Sequence, residues 1–590
     1  MTNIHREPAN SRVRYDSCMS VQNIDIAKVF DEIGDLLEIK GDNPFRIRAY
    51  RNAARTVEGL GVSAADMLAK GEDLTELPGI GKDLAAKMQE IVARGTCEAL
   101  EDLRKQLPPG LTTLLKIPGL GPKRVQTLYQ QLDIGTPEQL YAAAHDGKIR
   151  ELAGFGEKTE ITILQSLEKR VVIGTRVRLA DAAKHAEPLR NYLAQIPGAQ
   201  QVAIAGSYRR YKETIGDIDI VVTAKRGSPV MDKLCDYDQV EKVVSKGSTR
   251  ATVNLKGGLQ VDVRVVPQAS FGAAMHYFTG SKTHNIAVRR LGQQKRLKIN
   301  EYGVFRGERR IAGDTEESVF QSVGLPYIPP ELRENRGEIE AARAGTLPKL
   351  IELGDIKGNL HTHTVATDGK NTLEEMAAAA RAHGLQYLAI TEHTRHIMAD
   401  KGFDADRLRR QMLEIDKLND KLNGITLLKG IEVDILENGD LDLPDAVLAE
   451  LDIVVASVHL DFDLPRMKQT ERILRALDNR YVHILAHPAG RLLGERPARE
   501  VDMPKIIRAA RDRGCFLELN AQPQRLDLPD TYCKMAKDEG VSIAINIDAH
   551  STQDFDNLKY GVGYARRGWL EARDVANTRT LDELRALLRR

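Results

Sequence analysis

The sequence predicts a multidomain chain of mixed α+β and α/β class: a helical N-terminal region, a strand-rich middle and a C-terminal parallel βα barrel. Three observations predict it. Residues 24–170 read as helices separated by three similar glycine-containing turns. From about Arg176 the texture changes to alternating strands: Val202–Ala205, Asp217–Val222, Thr252–Leu255 and Leu259–Val266. Beyond a polar stretch at Glu331–Gly345, which reads as a linker, short apolar runs alternate with helical segments, the pattern of repeated βα units.

Length and composition bound the function class. The 590 residues suit about four domains. Hydrophobic residues make up 42% and charged residues 29%, with no apolar run near the ~20 residues of a membrane span, so the expectation is a protein with no membrane association. Residues 1–20 are polar and basic without an apolar centre, so they read as an N-terminal extension and not a secretory signal. Five scattered cysteines without a C-x-x-C pair point to the cytoplasm. Lys plus Arg (85) balance Asp plus Glu (84), yet Ser281–Arg310 holds nine basic residues against two acidic. That local stripe suits a polyanion, although a solvated charged face gives the same count.

The three turns are Leu77-Pro78-Gly79-Ile80-Gly81-Lys82, Ile117-Pro118-Gly119-Leu120-Gly121-Pro122-Lys123-Arg124 and Leu152-Ala153-Gly154-Phe155-Gly156-Glu157-Lys158. Glycine lets a phosphate approach the backbone closely, and the amides opening the next helix favour an anion. Ordinary helix–turn–helix corners are the plainer reading. Repetition makes the turns resemble helix-hairpin-helix motifs, which grip DNA backbones without reading bases. The resemblance assigns DNA contact to Gly79, Gly81, Gly119, Gly121 and Lys123. In the third turn, Glu157 would repel a phosphate.

In Gly216-Asp217-Ile218-Asp219-Ile220 both aspartates project from one face of a strand. Val261-Asp262-Val263 repeats the alternation and offers a third carboxylate. Three clustered carboxylates repel one another unless cations neutralise them, and Mg²⁺ or Mn²⁺ takes such oxygen ligands. Upstream, Gly206-Ser207-Tyr208-Arg209-Arg210 supplies a glycine, a hydroxyl and guanidinium groups suited to a triphosphate. Gly-Ser, Asp-x-Asp and a distant Asp together resemble the nucleotidyltransferase superfamily.

Tyr277-Phe278-Thr279-Gly280-Ser281 narrows the resemblance to family X DNA polymerases, whose thumb carries such a motif. The resemblance implies that Tyr277 and Phe278 lie at the sugar and that Asn285 and Arg289 touch the nascent base pair and template. It makes Asp217, Asp219 and Asp262 catalytic metal ligands, and Gly206, Ser207, Arg210, Gly280 and Ser281 part of the nucleotide site. Lys282 departs from vertebrate repair members, which carry an acidic residue there. Asn43-Pro44-Phe45-Arg46-Ile47-Arg48-Ala49-Tyr50, with Arg51 and Arg55, resembles the start of the family's lyase domain. Lys87 then falls at the Schiff-base lysine that removes 5′-deoxyribose phosphate. That role needs a partly neutral amine. A nearby Asp83 would raise its pKa, and Lys87 as a solvated helix residue is the competing reading.

Nine of 14 histidines lie between residues 361 and 550, most directly after an apolar run. They are His361, His363, His383, His393, His396, His459, His483, His487 and His550; Glu432 sits inside the apolar run Leu427–Ile435. In a βα barrel the C-terminal ends of strands converge on one mouth. Imidazole and carboxylate without thiolate suit Zn²⁺, Mn²⁺ or Fe²⁺ in a hydrolytic site. The set resembles the PHP (polymerase and histidinol phosphatase) domain, a distorted (β/α)7 barrel. That resemblance implies nine ligands, His361, His363, Asp368, His393, Glu432, His459, His487, Asp548 and His550, for up to three Mn²⁺ or Zn²⁺ ions. Arg491 is a candidate for the scissile phosphate, while His396 and His483 read as structural.

The full order resembles bacterial and archaeal family X DNA polymerases with a C-terminal PHP domain. It divides into an extension (1–20), a lyase-like helical domain (21–98), fingers (99–172), palm (173–268), thumb (269–335), linker (336–353) and PHP domain (354–590). The implied function is short-gap filling in DNA repair, with Mn²⁺-dependent 3′–5′ exonuclease activity in the barrel. Incision at abasic sites, or cleaning of 3′ ends, is the wider version of the second activity. The expected partners are gapped or recessed duplex DNA and dNTPs, and the expected state is a monomer. The alternative is a phosphoesterase or nuclease that uses the polymerase half to bind DNA.

Overall fold

A computed structural model describes residues 21–589 except 22, 61, 109, 116, 118, 119, 158, 162, 165–175 and 226. The DNA contact expected of Gly119 therefore lies outside the described residues, as does the 1–20 extension.

 

The N-terminal helices Asn23–Lys40, Pro44–Glu58 and Lys82–Arg94 bury Phe30, Ile33, Leu37, Tyr50, Val57, Met88 and Ile91 against one another. Asn43 caps the second helix through Phe45 N, and Pro44 occupies its first turn, where no amide is needed. A second helical core, around Leu111, Leu114, Val125, Leu128 and Ile149, carries the next hairpin. No described helix is long and apolar enough to cross a membrane.

The palm is a five-stranded sheet of β1 (Ala199–Ile204), β2 (Asp217–Ala224), β3 (Val240–Lys246), β4 (Arg250–Leu255) and β5 (Gln260–Val266), in the order β1-β2-β5-β4-β3. Only β2 and β5 run parallel, and their register sets Asp219 directly beside Asp262. The edge strand β3 has no counterpart among the expected strands. It is nearly all exposed and lysine-bearing, so it lacks the alternation that marks a half-buried strand. The thumb packs helices Phe271–Thr279, Lys282–Gln294 and Glu316–Val323 against a three-stranded antiparallel sheet.

Residues 336–353 do not form the loose linker expected of a polar stretch. The helix Glu338–Ala344 turns Glu338 inward, where its carboxylate meets His284 Nδ1 at 2.6 Å with both side chains fully buried. Just before it, buried Arg333 pairs with Glu316 at 2.6 Å. Polar composition here reflects charges paired inside the protein, which a solvated linker would mimic in sequence.

The C-terminal domain is a seven-stranded parallel sheet, β6 (Gly358–Asn359), β7 (Tyr387–Ile390), β8 (Thr426–Asp434), β9 (Ile453–Ser457), β10 (Ile484–Leu485), β11 (Phe516–Asn520) and β12 (Ile543–Asn546), paired in sequence order. A parallel bridge between Thr362 and Ala549 brings the first and last strands together, so the sheet nearly closes. Helices such as Leu373–Ala382, started by a Thr372–Glu375 capping box, cover its outside. The barrel docks on the palm through the helix Leu558–Arg567, where a Cβ on Gly563 would stand 2.0 Å from the Tyr211 ring. It meets the N-terminal domain through Arg466–Asp25 (3.0 Å) and Arg508–Asp66 (2.7 Å).

Candidate functional site

The palm pocket starts at a sharp turn. Gly206 leaves β1 with φ +62°, and a Cβ there would lie 2.3 Å from Asp219 Oδ2. Only glycine lets the backbone pass so close to that carboxylate. Asp217 and Asp219 share a face of β2, with Asp262 beside Asp219 on β5. Asp262 accepts from Thr252 Oγ1 (2.6 Å) and Gln260 Nε2 (2.8 Å) and lies 3.4 Å from Arg250. With Tyr277, Phe278, Gly280, Asn285 and Arg289, these turns enclose a cavity of about 700 Å³ that also meets Ser207, Arg210, Arg176 and Lys282. Asn285 Nδ2 donates to Tyr277 O at 2.7 Å, fixing the thumb turn, and Ser281 Oγ caps the following helix at His284 N.

Burial, then the charges of Asp217 and Asp262, push the Asp219 carboxyl up to about 7, against the opposing pull of Arg210 and Arg264. A raised carboxyl pKa means that a proton occupies the ligand until it is displaced. Mg²⁺ or Mn²⁺ affinity is therefore expected to strengthen about tenfold per pH unit below that value and to level off above it. Metal titrations between pH 5.5 and 8.5 check this; an affinity flat across pH 7 would contradict it.

The barrel gathers its ligands more tightly. Three groups have ligand atoms within 4.8 Å of one another: His363, Asp368, His393 and His550; His361, His363 and Asp548; and His393, Glu432 and His459. His487 joins through Nε2, 3.2 Å from Glu432 Oε1. Glu432 is the hub, with His393 Nδ1 at 2.8 Å from Oε2. Both ring nitrogens of His363, His361 Nε2, His487 Nδ1 and Glu432 Oε2 are buried without a well-aligned hydrogen bond, despite close N···O approaches such as His393 Nδ1 to Glu432 Oε2. So many such atoms at one mouth fit divalent cations. Among the described residues every such group lies in the barrel; the palm carboxylates are not drawn together as closely.

The electrostatics of the chain alone point the same way. Burial opposes charge on His393, but Glu432 and Asp368 outweigh it and push the imidazole up to about 10. His550 rises to about 9 against burial, through Asp368 and Asp548. His363, by contrast, is lowered to about 3 by burial and by His393 and His550. The acids thus demand positive charge that protons supply only by crowding imidazolium groups, and metal ions supply without that repulsion.

Residues 21–97 match the helix-hairpin-helix domain family and 111–169 the SAM-like helix-hairpin-helix tandem. Residues 176–278 match the DNA polymerase beta palm, 274–334 the DNA polymerase beta thumb and 359–546 the PHP domain. The DNA polymerase/3′-5′ exonuclease PolX of Bacillus subtilis (strain 168) is 39% identical over 573 residues, covering 96% of this chain and 99% of the relative. The chain belongs to the PHP-bearing family X DNA polymerases. Two further relatives match parts of this family X chain. DNA polymerase lambda of Rattus norvegicus is 26% identical over 53% of this chain and 56% of its own length. A probable phosphatase of Thermoanaerobacter sp. (strain X514) is 32% identical over 37% of this chain and 89% of its own.

Some expected site residues sit differently in the family X frame. Arg491 is engaged along the barrel wall. Its guanidinium donates to the carbonyl oxygens of Arg525 and Leu526 and to Tyr564 Oη, contacts that brace the wall there. Arg525 stands closer to the cluster, its Nε 3.7 Å from Asp548 Oδ2. Sequence reasoning missed Glu518, which lies in the middle of β11. Its carboxylate accepts from His361 Nδ1 (2.7 Å), His487 N (2.8 Å) and Asn546 Nδ2 (3.0 Å), fixing how two ligand residues are presented. The alternation of Phe516-Leu517-Glu518-Leu519-Asn520 was its only signal. His483 accepts from Val454 N through Nδ1, in keeping with a structural role.

In the hairpins, Gly81 and Gly121 begin the helices Lys82–Arg94 and Pro122–Leu132 without a side-chain cap, and open space surrounds Gly79, Gly81 and Gly121. Thr56 Oγ1 anchors the first turn at Pro78 O. Lys87, one turn into its helix, is hydrogen-bonded to Asp83. Burial alone would depress its amine, but the Asp83 hydrogen bond and the neighbouring charges more than offset that, and its pKa is raised. Borohydride trapping on 5′-deoxyribose-phosphate DNA at neutral pH is accordingly expected to be faint for the wild type. It should strengthen in Asp83→Asn, because each unit of fall in pKa raises the neutral amine about tenfold. Strong trapping that ignores the substitution would refute this reading of Lys87.

Proposed function

We propose that this chain is a DNA-directed DNA polymerase that fills short gaps during repair and carries a 3′–5′ exonuclease in its barrel. The observation that carries the reading is the presence, in one chain, of two separate ligand sets for phosphate chemistry. One comprises Asp217, Asp219 and Asp262 beneath the Gly206-Ser207 turn; the other is the Glu432-centred cluster. The close similarity along nearly all of a named polymerase/exonuclease supports it.

In the palm, Asp217, Asp219 and Asp262 would hold Mg²⁺ or Mn²⁺, which when bound lowers the pKa of the attacking 3′-hydroxyl and neutralises the leaving pyrophosphate. Ser207 and Arg210 bind the triphosphate, the hydroxyl and guanidinium donating to its oxygens. Tyr277 and Phe278 pack edge to face at 5.0 Å and set the floor against which the sugar rests. In the barrel, the nine His, Asp and Glu residues would hold up to three Mn²⁺ or Zn²⁺ ions. Glu518 orients His361, and Arg525 offers a guanidinium to the scissile phosphate. The exposed glycine turns at Gly79, Gly81 and Gly121, with Lys123, hold the DNA backbone. Such an enzyme acts as a monomer in the cytoplasm on gapped or recessed duplexes, and the barrel activity extends to abasic sites or blocked 3′ ends.

A second reading, a phosphoesterase that uses the polymerase half to bind DNA, draws on the looser palm carboxylates and on Asp262 being turned toward Thr252 and Gln260. Primer extension and degradation on one gapped duplex separate the two. Asp219→Ala is expected to stop dNTP incorporation and leave degradation intact, and His363→Ala to do the reverse. Absence of incorporation by the wild type with either Mg²⁺ or Mn²⁺ would favour the second reading.

A further inference from the structure

The barrel reaches into the back of the palm pocket. Arg210, whose front lines the nucleotide cavity, is held from behind by Glu334, with Arg210 Nε 3.0 Å from Glu334 Oε1. The same Glu334 oxygen accepts from Arg567 Nη1 at 2.9 Å, and Arg567 Nη1 also donates to the Arg210 carbonyl oxygen at 2.6 Å. Arg567 belongs to the last turn of the barrel helix Leu558–Arg567. Its other nitrogen, Nη2, pairs with Asp530 at 2.9 Å, and Asp530 in turn pairs with Arg336 at 3.0 Å. The side chain of Arg567 is completely buried, and its partners Glu334 and Asp530 are mostly so.

Within it two carboxylates, Glu334 and Asp530, face three guanidinium groups, Arg210, Arg567 and Arg336. Lys212 and Glu213 add one charge of each sign close by. Burial disfavours charge on Glu334, but Arg567 and Arg210 hold its carboxyl far below the usual range. Arg567 and Arg210 thus share the direct ion pairs of Glu334, with Lys212 and Arg336 adding positive charge at longer range. It also pins the backbone of Arg210, at the end of the turn that begins at Gly206.

We propose that Arg567 is a positioning residue for the nucleotide pocket, acting through Glu334 and the Arg210 carbonyl, so that the barrel supports nucleotide binding by the palm. The proposal rests on the polymerase reading of that pocket. Without Arg567, Glu334 keeps Arg210 as its direct ion-pair partner, drawing that guanidinium back and cancelling more of its charge. Binding of the triphosphate weakens while the carboxylates that carry out transfer stay in place. A contiguous chain of paired groups with two ends is a physical basis for such coupling.

Steady-state incorporation by the full-length protein tests this. Arg567→Met is expected to raise the KM for dNTP about tenfold with kcat within about twofold, and Arg567→Lys to recover part of the loss. Degradation of a single-stranded primer by the barrel should not change. Because Arg567→Met leaves Asp530 and Glu334 short of a partner, Glu334→Gln and the Glu334→Gln/Arg567→Met pair are measured alongside it. If Arg567 acts through Glu334, the pair is no worse in KM than Arg567→Met, or than Glu334→Gln where the single Arg567 variant does not fold. An unchanged KM in the folded variants, additive losses in the pair, or a matching fall in kcat and in degradation would overturn the proposal. Failure of the wild type to incorporate dNTP would overturn the polymerase reading instead, so the two failures are distinct.

Discussion

Gly206→Ala is expected to reduce nucleotide incorporation by about 100-fold or more while leaving primer degradation at the wild-type rate. The added methyl group would sit 2.3 Å from Asp219 Oδ2 and 3.2 Å from its Cγ. Neither neighbour can yield freely. Asp219 is fixed on β2, and Ala205 N donates to the Asp219 carbonyl oxygen at 2.8 Å, tying the turn to the same strand. The backbone at Gly206 also has φ +62°, which alanine adopts only at a cost of about 1 kcal/mol or more. Relief must come by displacing the Asp219 carboxylate, the group placed between Asp217 and Asp262, and a ligand misplaced by about 1 Å loses the geometry that transfer needs. The barrel lies on other elements, so its activity is the internal control. Primer extension and degradation assayed on one duplex give both numbers, and incorporation within threefold of wild type would show that the turn has no such constraint.

What could be read from the sequence depended on whether a residue's neighbours lie near it in the chain. The barrel ligands were legible because each follows an apolar run, as at Tyr387–Ile390 before His393 and Ile453–Val458 before His459, and strand ends converge by topology. Asp217 and Asp219 were legible through their alternation, and Asp262 through the same pattern on its own strand. Glu518 was not, since one acid inside a strand says nothing until His361, 157 positions away, is seen beside it. Arg567 and Glu334 are harder still: charged residues at a helix end and in a polar stretch look solvated, and only folding brings them together across 233 positions. The stretch at Glu331–Gly345 misled for that reason, because charge paired internally and charge in water have the same composition.

Glu432→Gln is expected to cost the exonuclease more than the ~10–100-fold typical of losing an outer-shell partner, with metal content falling by at least one ion per chain. The substitution keeps the shape of the side chain and removes its charge. Glu432 Oε2 lies 2.8 Å from His393 Nδ1 and within 3.5 Å of His361 Nε2 and His363 Nε2, while Oε1 meets His487 Nε2 at 3.2 Å and His459 Nε2 at 3.4 Å. One carboxylate thus serves imidazoles on both sides, and a neutral amide can offer only one acceptor oxygen, turning its NH₂ toward ring nitrogens on the other. Burial opposes its charge, yet His361, His459 and His393 hold its carboxyl well below the usual range, so the anion is present at every working pH. Its loss leaves a buried set of imidazoles without their central counter-charge, which in the metal-stripped protein costs on the order of 3–5 kcal/mol. Metal analysis, thermal melting with and without chelator, and degradation of a recessed 3′ end measure the three effects together. Incorporation by the palm should persist in the loaded variant, which separates loss of the barrel centre from general unfolding. Full metal content with undiminished degradation would remove Glu432 from the centre of the site.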